Sequence, residues 1–448
     1  MLRIAVIGSG PAGIYAAEAL TRKGAASVDV FDALPCPYGL VRYGVAPDHP
    51  KIRSIIDTLR TVLEHPLVRF VGNVQVGKDI TMDDLRQYYD ATIVASGAAV
   101  DRRMGIPGED LPGSVSATDF VAWYNGHPDA PLDRFTLQAR TAIVVGMGNV
   151  AVDVARILAK SSAELRATDL PDHVLEVLDR SQVRDIAMVG RRGPVQAKFT
   201  TKELRELGEL PEADVIVDPA ELELDEGSEQ ALATSPAARR NLDALRGWAQ
   251  RPLAGRSRRL FLRFWLRPVE VLGDDRVTGL MVERTRPDEH GNAIGTGETL
   301  RLDADMVLRS IGYRGTPLPG LPFDEAAGVV PNLGGRVLLD GAPTPGWYVA
   351  GWIKRGPTGV IGTNRRDAYE TVTALLEDAA VLTRAPDREP DAVTQMLAAK
   401  GVLAVTWDGW NAIDVAEAER GRAQGRERSR IAQRESLLEA ARAWSGRR

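Results

Sequence analysis

The chain carries a single cysteine, Cys36, among its 448 residues. One thiol cannot form an internal disulfide, a paired-cysteine redox centre or a four-cysteine iron–sulfur site, so those redox classes are excluded. No apolar run approaches the ~20 residues that cross a bilayer, which excludes a spanning helix and any expected membrane insertion. Neither sign of charge is in excess: 56 Lys and Arg stand against 61 Asp and Glu, a formal charge of −5 that argues against nucleic-acid binding. The apolar segment Leu2–Ile7 is followed at once by a glycine cluster, without the longer apolar stretch and cleavage site of an exported chain, so a cytoplasmic protein is expected. Repeats and low-complexity tracts are absent as well. What is present is an ordinary globular balance, 44% hydrophobic and 26% charged, in a chain long enough for two or three buried cores.

The first unit reads strand, turn, helix, strand. Leu2–Ile7 is a short apolar strand, residues 11–23 carry a helical Ala/Leu pattern, and Ser27–Asp32 is a second strand; 68–76 and 88–95 add further strands. The same sequence of elements restarts at Thr141–Gly146, with a helix from Asn149 and a strand at Asp185–Gly190. Two strand–glycine–helix units about 140 residues apart predict an α/β chain with two doubly wound dinucleotide-binding domains. Extra β segments fall in 259–310, Gly/Pro punctuation fills 312–346, and a strand at Trp347–Ala350 leads through a glycine-rich loop to a helix from about Val360. Residues 421–448 hold eight Arg and three Glu and read as a solvated terminal helix or frayed tail.

Two glycine turns carry the chemistry. Gly8-Ser-Gly10-Pro-Ala12-Gly13 fits GxGxxG between a strand and a helix, where the glycines admit a pyrophosphate and the helix N-terminus meets its charge. Asp32 closes the next strand 19 residues later, where an acid accepts from an unphosphorylated ribose. Gly146-Met-Gly148-Asn149-Val150-Ala151 is a GxGxxA variant, and its second strand runs into Gly190-Arg191-Arg192-Gly193 instead of an acid. Paired guanidiniums can fork onto a phosphate that a carboxylate would repel, so this turn points to NADP rather than NAD. That strand arrives later than usual because 161–184 reads as an insertion. The opposite ribose chemistry suggests FAD in the first turn and NADPH in the second. Gly351–Gly362, ahead of a helix near Gly359, is suited to aim backbone N–H groups at the pyrimidine edge of a flavin.

Gly8–Gly13, Pro35–Pro50, Gly146–Asp153, Gly190–Pro194 and Gly351–Asn364 together resemble the adrenodoxin-reductase-type ferredoxin–NADP reductases, in order over about residues 1–375. The resemblance implies an FAD domain in two parts, 1–102 and 313–448, with an NADP domain, 103–312, inserted between them. It implies FAD contacts at Ala12, Asp32, Gly39, Leu40, Val76, Gly97, Trp352, Gly359, Val360 and Ile361, beside the glycines of the first turn. It places NADP contacts at Asn149, Val150, Arg191, Arg192, Glu203 and Gly359. Its catalytic residues would be His49, near the flavin, with Asp153 and Glu206 on the nicotinamide side. An isolated His between Asp48 and Pro50 also reads as a loop hydrogen-bonder, and hydride transfer needs alignment more than proton transfer.

The activity this implies is transfer from NADPH through FAD to a separate iron–sulfur ferredoxin by single-electron steps. Between Arg239 and Arg267 lie nine Arg and one Asp, a basic segment suited to steer an acidic ferredoxin; the basic tail after 421 is a rival docking site. Oligomeric state is not legible. Two other readings share both turns: an NADPH-dependent flavin oxidase or quinone reductase, and a non-catalytic flavin/NADP redox sensor.

Overall fold

A computed structural model describes residues 1–22 and 24–443. The chain divides into two compact units: Met1–Val100 with Asn125–Asp129 and Tyr313–Arg448, and Asp101–Tyr124 with Ala130–Gly312. Among the described residues no helix is long and apolar enough to cross a membrane.

The first unit is built on a seven-stranded sheet in the order Asn332–Leu333, Arg336–Leu339, Ala342–Val349, Ala91–Val94, Leu2–Ile7, Ala26–Phe31, Val68–Val71. The strands from Ala342–Val349 onward run parallel, and the first two join as an antiparallel edge. Leu2–Ile7 and Ala91–Val94 are buried on every residue, which is why, Arg3 and Thr92 apart, they read as apolar runs rather than alternating ones. The helix Pro11–Arg22 begins with proline, whose missing N–H costs nothing in a first turn, and buries an Ala/Leu/Ile face on the sheet. It packs along a second helix, Ile361–Glu377. The 68–76 strand is shorter than its apolar pattern, ending at Val71, and Met82–Tyr88 ahead of Ala91–Val94 is helix, nucleated by a capping box at Thr81 and Asp84.

The second unit holds a six-stranded parallel sheet in the order Ser114–Ser116, Met306–Arg309, Thr141–Val145, Asp185–Val189, Arg258–Arg263, Ala213–Val217. The stretch 161–184 adds the helices Ser162–Leu165 and Asp172–Asp179. An antiparallel meander of Leu266–Leu272, Gly279–Pro287 and Ala293–Asp303 supplies the extra β structure. Both main sheets are doubly wound, with Leu2–Ile7 and Thr141–Val145 inside them between two strands each.

Over its described residues the tail is packed rather than frayed. Residues 423–433 form a packed loop in which Arg426 and Arg430 are buried, and the helix Arg434–Ala443 sets Leu437 into the core of the first unit. Arg447 and Arg448 lie outside the described residues.

Candidate functional site

In the first unit four sequence segments meet beyond the carboxyl end of Leu2–Ile7. Gly8 has φ +107°, and a Cβ there would sit 2.4 Å from the Ala95 carbonyl oxygen, so the turn requires glycine. The Tyr38 N–H donates to the Ser9 carbonyl at 2.9 Å, which lays the backbone of Gly39 against Gly10. Gly351 comes so close to Ala12 that a Cβ on it would fall 2.6 Å from the alanine methyl. Gly97 follows the neighbouring strand with open space beside it. The helix Leu40–Tyr43 starts from this turn with Leu40 39% exposed, while Val76 joins the apolar cluster of Ile7 and Phe31 below.

Asp32 has a local duty that spacing does not show. Its carboxylate accepts from the N–H groups of Ser9 and Leu34, each at 2.9 Å, and from the Ser9 hydroxyl. Three of a carboxylate's about four acceptor sites are thereby spent on shaping the turn. Burial pushes the Asp32 carboxyl up, against the lowering effect of those three hydrogen bonds.

The Gly351 segment is held by a residue that pattern reading passed over. Asp367, on the helix Ile361–Glu377 and buried, accepts from the Gly351 N–H and pairs with Lys354 and Arg355, each at 3.1 Å. Arg355 reaches on to the Thr358 carbonyl at 3.2 Å and the Asn364 side chain at 2.9 Å. The Trp352 indole donates to the same Thr358 carbonyl at 3.1 Å. Gly359 has φ +84°, Val360 is 66% exposed, and Ile361 opens the helix.

His49 precedes the short helix Pro50–Arg53; it is buried, and its carbonyl accepts from Ile52 and Arg53 at 3.1 Å. Arg42 is buried opposite Glu417, with bonds of 2.6 and 3.1 Å. The lone Cys36 is buried nearby; that burial pushes its thiol up to about 11, so it is no nucleophile at neutral pH.

In the second unit Gly146, Gly148 and Asn149 form the corresponding turn, and a Cβ on Gly146 would lie 2.1 Å from the Ser310 carbonyl oxygen. Asn149 accepts from the Thr200 N–H at 2.8 Å, which ties the helix Asn149–Ala159 to the helix Thr201–Gly208. Val150 is half-buried behind it. Asp153, Glu203 and Glu206 converge on one guanidinium: Arg156, 2% exposed, lies 2.7, 3.5 and 3.3 Å from their oxygens. Arg156 was missed, although Asp153 and Arg156 share a helix face at i,i+3, as do Glu203 and Glu206.

Arg191 and Arg192 sit in a bend after Asp185–Val189. Their carbonyls are engaged, by Thr285 Oγ1 at 2.8 Å and the Trp265 N–H at 3.3 Å. Their guanidiniums have no ion pair or hydrogen-bond partner among the described residues.

The basic segment behaves otherwise. Arg259 forks onto Asp185, Arg263 pairs with Glu221, and Arg267 pairs with Glu283. Arg258 is buried against the carbonyls of Val183 and Ala159, Arg256 bonds the carbonyls of Leu210 and Ala213, and Arg239 turns back onto those of Leu232 and Ala233. The expected net positive segment is therefore largely neutralised or used within the unit. What remains is a groove of about 440 Å³ beside Trp248, where Arg205, Arg240 and Arg251 face Glu209 and Asp243. In the tail three of the arginines are likewise used within the unit: Arg428 pairs with Asp414 at 2.7 Å, Arg430 donates to the Arg42 and Asn125 carbonyls, and Arg426 is buried.

The residues present fit two dinucleotides. The helices that begin at the turns, Pro11–Arg22, Asn149–Ala159 and Ile361–Glu377, carry no acid in their first turns, so their positive ends are left for an anion. Glycine keeps the backbone bare at each approach, and the second turn has beside it two arginines with no ion pair or hydrogen bond among the described residues. Fold and site thus define an α/β oxidoreductase with two dinucleotide-binding units. Residues 2–192 match the family model for pyridine nucleotide-disulphide oxidoreductases. The chain is 44% identical to the NADPH-ferredoxin reductase FprA of Mycobacterium tuberculosis, over 97% of this chain and 98% of that one. It is 40% identical to the human mitochondrial NADPH:adrenodoxin oxidoreductase, over 97% and 91%. The solved structure of the M. tuberculosis FprA in complex with NADPH superposes with a TM-score of 0.93 at 44% identity, covering 98% of this chain and 99% of that one. The chain belongs to the family of NADPH–ferredoxin and adrenodoxin reductases.

Proposed function

We propose that the protein is an NADPH–ferredoxin reductase that holds FAD at the Gly8–Gly13 turn and NADP(H) at the Gly146–Ala151 turn. The observation that carries this reading is the contrast between the turns. One is closed by the carboxylate of Asp32, the other by the unpaired guanidiniums of Arg191 and Arg192, within a family whose members are reductases of this kind. A bound FAD would accept a hydride from NADPH and release its electrons one at a time.

The chain's own residues bind and orient. The first turns of Pro11–Arg22 and Asn149–Ala159 present N–H groups to a pyrophosphate. Leu40, Val76, Gly39, Gly97, Trp352 and Gly359–Ile361 are proposed to line the flavin, with the Ile361–Glu377 N-terminus toward the ring edge where charge grows on reduction. Asp367 keeps Trp352 and the Gly356–Asn364 loop in place through Gly351, Lys354 and Arg355. Asn149, Val150, Glu203, Arg191 and Arg192 are proposed to hold NADP(H). Arg156 fixes the carboxylates of Asp153 and Glu206, so these act as a charged scaffold, and His49 is assigned to alignment rather than to proton transfer.

The electron acceptor is proposed to be a separate ferredoxin, since one buried cysteine cannot ligate a cluster. Its docking surface is proposed at the Arg205–Arg240–Arg251 groove, which an acidic partner fits. The test is anaerobic titration of the purified yellow protein with NADPH, followed by cytochrome c reduction with and without ferredoxin. Ferredoxin-dependent turnover is expected. Rapid quinone or oxygen reduction that ferredoxin does not enhance would give the activity to the oxidase and quinone-reductase reading. Bleaching with no transfer to any acceptor would make the protein a sensor.

A further inference from the structure

The Arg191–Arg192 bend is stitched to a distant part of its own unit. The Gly190 N–H donates to the Arg263 carbonyl at 2.9 Å, and the Leu266 N–H donates to the Gly190 carbonyl at 3.0 Å. The Trp265 N–H donates in turn to the Arg192 carbonyl at 3.3 Å. The Thr285 hydroxyl donates to the Arg191 carbonyl at 2.8 Å, and the Thr285 N–H donates to the Trp265 carbonyl at 2.9 Å. Thr285 is buried and follows a register shift between Glu283 and Thr285 in the meander. Trp265 adopts φ +59°, a left-handed backbone uncommon for a bulky residue. Its indole covers Gly193 so closely that a Cβ there would lie 2.1 Å from the ring. Strain and a bare glycine are thus spent on a bend whose two side chains make no ion pair or hydrogen bond of their own within the described residues.

We propose that Trp265 and Thr285 are positioning residues for coenzyme selection: they clamp the main chain of Arg191–Arg192 so that both guanidiniums are pre-arranged for the 2′-phosphate of NADPH. The inference rests on the reading of Arg191 and Arg192 as phosphate ligands. It gives the three-stranded meander a function, since Trp265 enters its first strand and Thr285 lies in its second. A clamp of this kind lowers the ordering cost that two flexible side chains on a loose bend would impose on binding.

Thr285→Val keeps the shape and removes the donor. Loss of one neutral hydrogen bond is worth roughly 3- to 10-fold in affinity, expected as a rise in the KM for NADPH. The KM for NADH and the kcat at saturating NADPH should be unchanged, with ferricyanide as acceptor and the flavin-loaded protein throughout. Thr285→Ser should restore the wild-type value, and Gly193→Ala, which must displace the indole or the bend, should shift the same ratio further. In an Arg191→Ala/Arg192→Ala background Thr285→Val should add nothing. Equal losses on NADPH and NADH would make the clamp a general structural element and overturn the proposal. So would an unchanged coenzyme ratio in both Thr285→Val and Gly193→Ala when the arginine variants do shift it. If the arginine variants leave the ratio unchanged, the fault lies in the phosphate-ligand reading itself.

Discussion

Replacing Glu417 by Gln tests how the carboxyl-terminal region holds the first cradle. Glu417 is fully buried on the helix Trp407–Arg422 and takes both terminal nitrogens of Arg42, the Ile431 N–H at 2.9 Å and Arg428 at 3.3 Å. Burial alone would pull the Arg42 guanidinium down, and Glu417 opposite it more than reverses that, so Arg42 keeps its charge. Gln keeps the volume but presents a neutral amide to a cation whose side chain is 5% exposed. Breaking one side of a buried pair costs about 3–5 kcal/mol. Arg428 loses less, because Asp414 remains 2.7 Å from it. At about 2–4 °C per kcal/mol for a unit of this size, Glu417→Gln should lower the Tm of the first unit by roughly 6–20 °C. Flavin release, followed by fluorescence during the melt, should move with it, because Arg42 lies three residues beyond Gly39. The double variant Arg42→Met/Glu417→Leu removes both charges and should recover most of the loss. A Tm within about 2 °C of wild type for Glu417→Gln, or a double variant no better than the single one, would refute the reasoning.

Arg191→Ala and Arg192→Ala should each raise the KM for NADPH roughly ten- to a hundredfold, the worth of a charge-assisted hydrogen bond, and leave NADH kinetics unchanged. Asp101, half-buried near Ser116 and Arg309, has its carboxyl pushed up to about 6 by burial. Its neutral form suits the fold, so this contribution is fully present below about pH 4 and lost as pH rises through 6. Asp101→Asn should therefore gain stability relative to wild type across pH 4–6, seen in urea unfolding at stepped pH; a pH-independent difference would contradict the shift. Arg240→Glu with Arg251→Glu should raise the KM for an acidic ferredoxin, more at low salt than near 0.15 M, where screening shortens to ~8 Å. Ferricyanide reduction by NADPH should not respond, and unchanged ferredoxin kinetics would remove the groove as docking site.

Both glycine turns and their parent strands were legible because each is a local pattern: an apolar strand, glycines at fixed offsets, a helix start. Asp32 was legible in place but not in its bonds to Ser9 and Leu34, which depend on how the turn curls. The charged residues were least legible. Counting Arg from 239 to 267 saw their sign and not their partners; Asp185 lies 74 residues from Arg259 and Glu221 lies 42 from Arg263. The tail shows the same thing, since Arg428 answers to Glu417 and Asp414 and Arg430 to the carbonyls of Arg42 and Asn125. Asp367 and Arg156 left weaker traces, an acid inside a helix and an i,i+3 pair. Neither signals anything until folding brings its partners to it.

The order of the seven-stranded sheet has a consequence during synthesis. Ala91–Val94, buried on all four residues, pairs on one side with Leu2–Ile7 and on the other with Ala342–Val349, roughly 250 residues downstream. At ~5–20 residues per second, its second neighbour leaves the ribosome about 12–50 s later. The six strands of the other main sheet, ending at Arg309, are all translated in that interval. Until Ala342–Val349 arrives, an apolar strand edge stands open, the kind of edge that templates association between nascent chains. Slowing translation prolongs that exposure, so yield should depend on how fast the stretch between Val94 and Val349 is made and on what shields the edge meanwhile.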